Sequence, residues 1–462
     1  MLRDKDSDTI AAIATAPGQS GIGVIRISGS EAIALTDGLI FSKSGKKLNI
    51  KEQPSHTVKY GFIRDGEEEI DEVLVTVFKK PKSFTAEDTV EISCHGGSFV
   101  LRRVLSLIIK RGVRPADPGE FTKRAYLNGR IDLTEAEAVM DIISSTNELA
   151  RKNSLSVLRG GIYEKIKILR ERILHECAFI ESALDDPEHY SLEGYPDRLK
   201  AEVLDISGSI EELLKSADTG RILKGGIKTA IAGKPNVGKS SILNLLCGES
   251  KAIVTDIPGT TRDVLSSEIV IDGIPLILSD TAGIRDTEDV VEKIGVERSR
   301  ETIDKADLVL FILDSSEDTD TEDKEIYDYI RSLNKRCIVL LNKTDIRTEE
   351  KNYSYSDLPC IDFSAREEKG LKELKALIEE MFLSGALAGD EEIFITSERQ
   401  LGELKSALDS LKLVIRSIDD GMTEDFFTVD LMDSYSFLGN VTGEETDEDL
   451  FNKIFSEFCM GK

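Results

Sequence analysis

Gly233-Lys-Pro-Asn-Val-Gly238-Lys239-Ser240 stands between an apolar run, Lys228-Thr-Ala-Ile-Ala232, and a helical one, Lys239-Ser-Ser-Ile-Leu-Asn-Leu-Leu246. The pattern is G-x-x-x-x-G-K-S, and strand, loop and helix are the context it requires. The glycines let backbone N–H groups turn toward phosphate. Lys239 carries a charge to the β- and γ-oxygens, and the Ser240 hydroxyl can take a place on Mg2+. Asn236, Val237, Gly238, Lys239, Ser240 and Ser241 are thus candidates for holding a nucleoside triphosphate. Around them, apolar strands at Thr229–Ala232, Leu276–Ser279, Leu308–Leu313 and Cys337–Leu341 alternate with helical segments, which predicts a parallel sheet.

Three companion motifs follow in order. Thr255-Asp256-Ile257-Pro258-Gly259-Thr260-Thr261 reads as a switch loop, with Thr260 or Thr261 closing over Mg2+. Asp280-Thr281-Ala282-Gly283 ends a strand, where a carboxylate can hold Mg2+ through water and the Gly283 N–H can meet the γ-phosphate. Asn342-Lys343-Thr344-Asp345 names the base. The Asp345 carboxylate can accept from N1–H and from the exocyclic amine of guanine, a pair of donors that adenine lacks. Ser364-Ala365-Arg366 follows the strand-like Cys360–Phe363 and can support the base by backbone N–H. The nucleotide is therefore expected to be GTP.

Many GTPases place Gln after the D-x-x-G motif to orient the attacking water. Here Ile284 stands there, and an aliphatic side chain accepts no hydrogen bond. Either the chain is a slow switch awaiting a partner, or an acid does the work. Asp286, Glu288, Asp289 and Glu292 are all within reach in sequence, and chemistry alone does not choose among them.

At 462 residues the chain has room for about three domains. It carries 59 basic and 86 acidic residues, a net charge of −27, which argues against diffuse binding to nucleic acid. A local exception runs from Arg102 to Arg130, rich in Lys and Arg; it is either a solvated helix face or a polyanion site. The six cysteines are scattered, with no Cys-x-x-Cys pair, which fits reduced thiols. No stretch has the apolar core of a signal peptide or the ~20 residues of a membrane helix. A cytoplasmic protein with no membrane partner is expected.

The texture changes along the chain. Thr9–Ala14, Gly23–Ile27 and Glu72–Phe78 are β-rich, and Val100–Lys110 is helical. Ile162, Ile166, Leu169, Ile173, Cys177, Ile180 and Leu184 fall on one helix face. Leu199, Val203, Ile206, Ile210 and Leu213 repeat that period, and so do Leu401, Leu404, Leu408, Leu411, Ile415 and Ile418. Thr446-Asp-Glu-Asp449 suggests the box of a last helix. Helices on both sides of the α/β segment can form one bundle with the α/β unit inserted, or three domains can follow in series.

Four further stretches carry a resemblance. They are Ala14-Thr-Ala-Pro-Gly-Gln-Ser-Gly-Ile-Gly-Val-Ile-Arg26-Ile-Ser-Gly29, then Ser83-Phe-Thr-Ala-Glu87-Asp with His95-Gly-Gly97, then Arg114 to Leu133, and the terminal Phe458-Cys-Met-Gly-Lys462. With Thr255–Asp263, they make the chain resemble the tRNA-modification GTPase family MnmE, also called TrmE, over its full length. The resemblance implies a multidomain α/β plus α fold. An N-terminal α/β folate-binding and dimerisation domain would take 1–120, and a helical domain 121–218 and 381–462. A Ras-like P-loop G domain would be inserted at 219–380.

The same resemblance implies a cytoplasmic homodimer and a heterotetramer with the flavoprotein MnmG (GidA). Together they would add an aminomethyl or carboxymethylaminomethyl group to the wobble uridine of certain tRNAs, using 5-formyl- or methylene-tetrahydrofolate. Arg26, Glu87, Arg130 and Lys462 match folate-contacting positions. Asn236 matches a potassium ligand, with Thr255, Ile257 and Thr260 supplying carbonyls; Ser240 and Thr261 would hold Mg2+. Glu292 matches the acid that orients water. Pro258 and Met460 depart from the commoner residues, and neither is an expected side-chain ligand. The alternative is an Era-like switch in ribosome assembly. It would need a basic RNA-binding domain after the G domain, where this chain has the acidic Thr423-Glu-Asp-Phe-Phe-Thr-Val-Asp-Leu-Met-Asp-Ser434.

Overall fold

The computed structural model describes residues 8–249, 267–271, 274–279, 300–348, 357–383, 393–444, 454–455 and 461. The chain forms two compact units, Met1–Met140 with Leu158–His175 and Tyr435–Lys462, and Asp141–Val157 with Glu176–Ser434. The stretch from Tyr435 thus falls in the same unit as the N-terminal one.

The first unit holds a seven-stranded sheet. Its strands are β1 (Ile10–Ile13), β2 (Ile22–Ser28), β3 (Ile40–Phe41), β4 (Thr57–Asp65), β5 (Glu68–Phe78), β6 (Thr89–His95) and β7 (Arg114–Pro115), in the order β3-β4-β5-β6-β2-β1-β7. Ile25 and Ile27, Val73, Val75 and Val77, and Val90 and Ile92 alternate inward along their strands. Helices α1 (Ala32–Thr36) and α2 (Ser98–Lys110) accompany the sheet. Leu101, Val104 and Ile108 of α2 join that core at helical spacing. Helix α3 (Glu120–Leu127) buries Phe121 against Ile10, Ala12 and Ala116.

Four helices follow: α4 (Leu133–Ser144), α5 (Glu148–Leu158), α6 (Gly161–Asp185) and α7 (Tyr195–Gly225). The stripe on α6 is buried from Ile162 to Ile180, as its period predicts. Leu184, beside the Asp186-Pro187 stop, is 48% exposed instead. All five predicted apolar positions of α7 are buried. Helix α7 also runs past the expected boundary at 218, and its Ile222 and Leu223 enter the core of the second sheet.

That sheet lies in the second unit. It comprises β8 (Ile227–Ala232), β9 (Ser267–Ile271), β10 (Ile274–Ser279), β11 (Leu308–Asp314), β12 (Arg336–Asn342) and β13 (Cys360–Asp362). The order is β13-β12-β11-β8-β10-β9, parallel except for the antiparallel pair of β9 with β10. Leu308 to Leu313 are all buried, the continuous apolar strand of a sheet covered on both faces. Helices α8 (Lys239–Glu249), α9 (Thr321–Ser332) and α10 (Leu371–Leu383) belong to it, and then come α11 (Glu398–Asp419) and α12 (Glu424–Thr442). The box expected at Thr446–Asp449 lies outside the described residues.

Helix α7 packs on α11, and Gly220 sets how closely α7 meets the chain that leads there. A Cβ on Gly220 would stand 2.1 Å from the Ile395 carbonyl oxygen. Gly220→Ala should therefore lower the melting midpoint, although alanine is better in a helix by about 1 kcal/mol. A midpoint raised by the substitution, read by circular dichroism, would show that the backbone at Ile395 gives way.

Candidate functional site

The phosphate loop, Asn342–Asp345 and Ser364–Arg366 meet at the ends of β8, β11 and β12. Between β8 and α8 the loop turns through Gly233 (φ 145), Asn236 (φ 66) and Gly238 (φ 101). Each glycine is also sterically required. A Cβ on Gly233 would lie 2.4 Å from Ile312 O, and one on Gly238 would lie 2.2 Å from Asn342 Nδ2. Lys239 Nζ donates to the carbonyls of Gly233 (2.7 Å) and Lys234 (2.6 Å), so the ammonium lies against the loop that would wrap phosphate. Burial pushes its pKa below the ordinary lysine value. Ser240 and Ser241 are exposed at the start of α8, where hydroxyls can reach a phosphate-bound Mg2+.

The base end is tied to the same loop. Asn342 Nδ2 donates to Val237 O at 2.8 Å, while its Oδ1 accepts from Ala365 N at 3.2 Å. One amide thus joins the phosphate loop to the Ser364–Arg366 turn. Ser364 Oγ donates to Asp345 Oδ1 at 2.8 Å and orients the carboxylate. Thr344 N and Oγ1 both donate to Phe363 O. Lys343 Nζ pairs with Asp314 Oδ2 at 2.6 Å. Burial pushes the Asp314 carboxyl up, but hydrogen bonds from Lys343 and Ser316 outweigh it and hold it low. Asp314 and the clamp of Lys234 between Asp320 (2.8 Å) and Asp323 (2.9 Å) were not foreseen. Their only sequence signal is the Asp-x-x-Asp box at the start of α9, which the structure forms in full.

A second cluster stands in the first unit. Arg26 on β2 pairs with Glu91 on β6 at 2.8 Å and lies over the rings of Phe84 (5.3 Å) and Phe121 (5.5 Å). Arg130 lies over the Phe84 ring at 5.0 Å and donates to Phe84 O. Glu87 accepts from Ser28 Oγ at 2.8 Å and from Arg124 Nη1 at 3.2 Å on both oxygens. Arg124 also reaches Glu120 at 3.0 Å, and Arg114 pairs with Glu120 in turn. Gly461 sits against the same region, since a Cβ there would lie 2.4 Å from Ile13 O. The fold thus gathers three of the four expected folate residues near Phe84 and Ser28. Sequence reasoning passed over Phe84, Ser28, Glu120 and Arg124, although all four lie in quoted stretches. The basic run 102–130 is no single patch: Arg114 and Arg124 turn onto buried acids, and Arg103 and Lys110 pair with Glu68 and Asp65.

Comparison with known proteins bears on the whole chain. Residues 9–130 match the model of the GTP-binding protein TrmE N-terminus, and 133–459 match that of the MnmE helical domain. A tRNA modification GTPase MnmE of Lachnoclostridium phytofermentans is 49% identical over 99% of this chain and 100% of its own. The chain belongs to the MnmE family of tRNA modification GTPases. A Lactobacillus gasseri member is 45% identical over 98% of both chains. The family membership accounts for the N-terminal α/β domain, the helical domain and the parallel-sheet GTPase domain, and it displaces the Era-like alternative. Era of Aquifex aeolicus is also similar, at 32% identity over 40% of this chain and 66% of that one, with a TM-score of 0.28. No helix among the described residues is long and apolar enough to cross a membrane.

Several expected site residues lie outside the described residues. They are Thr255, Asp256, Ile257, Pro258, Gly259, Thr260 and Thr261; Asp280, Thr281, Ala282 and Gly283; Glu292; and Lys462.

Proposed function

We propose that this chain is a K+-stimulated GTP hydrolase, activated by dimerisation, that serves tRNA wobble-uridine modification. With a flavoprotein of the MnmG kind it would add the aminomethyl or carboxymethylaminomethyl group, drawing one carbon from a tetrahydrofolate. The observation that carries the GTP part is the Asp345–Ser364 pair beside the phosphate loop. Lys239 and the loop amides bind and neutralise the phosphates, and Asn236 would be a ligand to a K+ ion that supplies the positive charge of an arginine finger. Ser240, with Thr261, is suited to Mg2+, and Glu292 to orienting water. Hydrolysis then needs no glutamine at Ile284.

The first-unit cluster fits a folate. Phe84 offers an aromatic face, Arg26 and Arg130 offer cations for carboxylates, and Glu87 is a carboxylate for pterin N–H groups. The gathered geometry supports placing it there, with Lys462 as the fourth contact. A homodimer through the same unit is supported by exposed Ile22, Val58, Tyr60, Leu74 and Phe99. We assign 1–120, 121–218 with 381–462, and 219–380 as folate-binding, helical and G domains, and place the protein in the cytoplasm with tRNA as substrate.

The test is tRNA from a strain lacking the gene, digested to nucleosides and run by mass spectrometry. The modified uridine should vanish, return with the wild-type gene, and fail to return with Glu292→Ala. Purified protein should turn over GTP faster in K+ than in Na+, and Glu292→Ala should lose turnover while binding GTP. Unchanged nucleosides in the deleted strain would refute the tRNA assignment, and equal rates in the two salts would remove the role given to Asn236.

A further inference from the structure

The nucleotide-binding sheet is joined covalently to the rest of the second unit by two necks. The chain enters through Leu223 and Lys224 at the end of α7 and leaves through Phe394, Ile395 and Thr396 ahead of α11. Side chains at the end of α4 and near α5 grip both. Asn147 Nδ2 donates to Leu223 O at 2.9 Å. Asn153 Nδ2 donates to Phe394 O at 3.0 Å, and its Oδ1 accepts from Phe394 N at 2.9 Å, so one amide satisfies both backbone groups of a residue 241 positions away. Asp141 spans the two necks: Oδ1 lies 2.7 Å from Lys224 Nζ, and Oδ2 accepts from Thr396 Oγ1 at 2.9 Å. Asn147 and Asn153 are 8% and 5% exposed, so water does not compete for these bonds. The cleft beside Asp141, Lys224 and Thr396 has a volume of about 20 Å3. That falls below the ~300–1,000 Å3 of a small-molecule site, so the residues are placed for holding chain rather than a ligand.

We propose that Asp141, Asn147 and Asn153 form a clasp that makes the response of the G domain to its nucleotide felt by the helices. Among the described residues they hydrogen-bond to no nucleotide-site residue, and they act as positioning residues through the necks. A body tethered at two points hinges on its tethers unless both are fixed to the same support. Fixing both converts a local change in the sheet into a displacement of α4 and α5. The inference rests on the proposed coupling of GTP hydrolysis to tRNA modification.

Its test separates hydrolysis from coupling. Asn153→Ala and Asp141→Lys, in the full chain, should bind and hydrolyse GTP nearly as the wild type does. The modified nucleoside formed per GTP should fall on the order of ten-fold, within the 5–150-fold usual for coupling between sites. Asp141→Lys combined with Lys224→Asp should restore most of it, a rescue that a merely structural defect would not show. Should Asp141→Lys fail to fold, Asp141→Asn keeps the Thr396 bond, loses the charge pair, and should still reduce coupling. Modification that falls only in step with hydrolysis, or an Asp141→Asn chain that couples as wild type, overturns the clasp. If the wild-type chain hydrolyses GTP but modifies no tRNA, the proposed function fails instead. The clasp is then decided by hydrogen exchange: Asn153→Ala should abolish the nucleotide-dependent change in protection of α5, and an unaltered change overturns it.

Discussion

Asp345→Asn should turn this chain from GTP toward xanthosine triphosphate. Guanine offers N1–H and an exocyclic amine, both donors, to the carboxylate. The amide keeps an oxygen for N1–H but sets an NH2 group against the amine. Ser364 Oγ, which donates to Asp345 Oδ1 at 2.8 Å, can still donate to the amide oxygen and keep the group in place. Xanthine carries a carbonyl where guanine carries the amine, so it accepts from the new NH2. Hydrogen bonds to a charged group contribute about 1.5–3 kcal/mol each, so losing the one to the amine weakens GTP about 10–10²-fold, and the opposed NH2 groups weaken it further. Titration of both nucleotides against both proteins measures the exchange. Undiminished GTP affinity in the variant would take Asp345 out of the base site.

The second large effect belongs to the first unit. Arg124 is 3% exposed and joins Glu87 to Glu120. Arg124→Ala leaves two carboxylates short of a partner in a buried place, which costs about 3–5 kcal/mol where nothing replaces the lost charge. Arg114 still holds Glu120, so the lower end of that range is expected. Burial pushes the Glu120 carboxyl up, but Arg114, the Asp117 N–H and Arg124 outweigh it, and its folded value lies below the ordinary 4.5. A depressed carboxyl stabilises the fold above its unfolded value, and that contribution is lost as the pH falls through the folded one. Without Arg124 the folded value rises, so acid unfolding should begin at higher pH in the variant. Melting curves from neutral pH downward would show this. A variant with the wild-type midpoint and acid limb would mean that the network carries no net stability. Arg124→Lys should recover only part of the loss, since an ammonium cannot bridge both acids in the planar way a guanidinium does.

Much of the second unit was legible in the chain because its signals are local. The phosphate loop needs positive φ at Gly233 and Gly238, and glycine advertises that. Strands β8, β10, β11 and β12 came out within about two residues of their expected limits, since a strand buried on both faces is apolar throughout. Strands β4 and β6 were missed. In β4, polar residues such as Lys59 and Arg64 break the run, and Val58 and Tyr60 face outward. Its pairing with β5, not its composition, makes it a strand.

The cluster proposed for folate was legible only by resemblance. Arg26, Glu87 and Arg130 are far apart in sequence, and nothing in their spacing says that Phe84 lies under two of them. Arg124 sat in a basic run that looked like surface, and the fold turns it inward onto Glu87 and Glu120.

By itself, then, the sequence determined the nucleotide, the order of the motifs and the periods of the helices. These depend on backbone conformation and on side-chain type within a few residues. Tertiary structure decided which charges are paired, that the C-terminal stretch rejoins the N-terminal unit, and that Asp141, Asn147 and Asn153 hold both necks of the G domain. The neck contacts alone join residues as many as 255 positions apart. Their partners are chosen by the packing of whole elements, which no local pattern encodes.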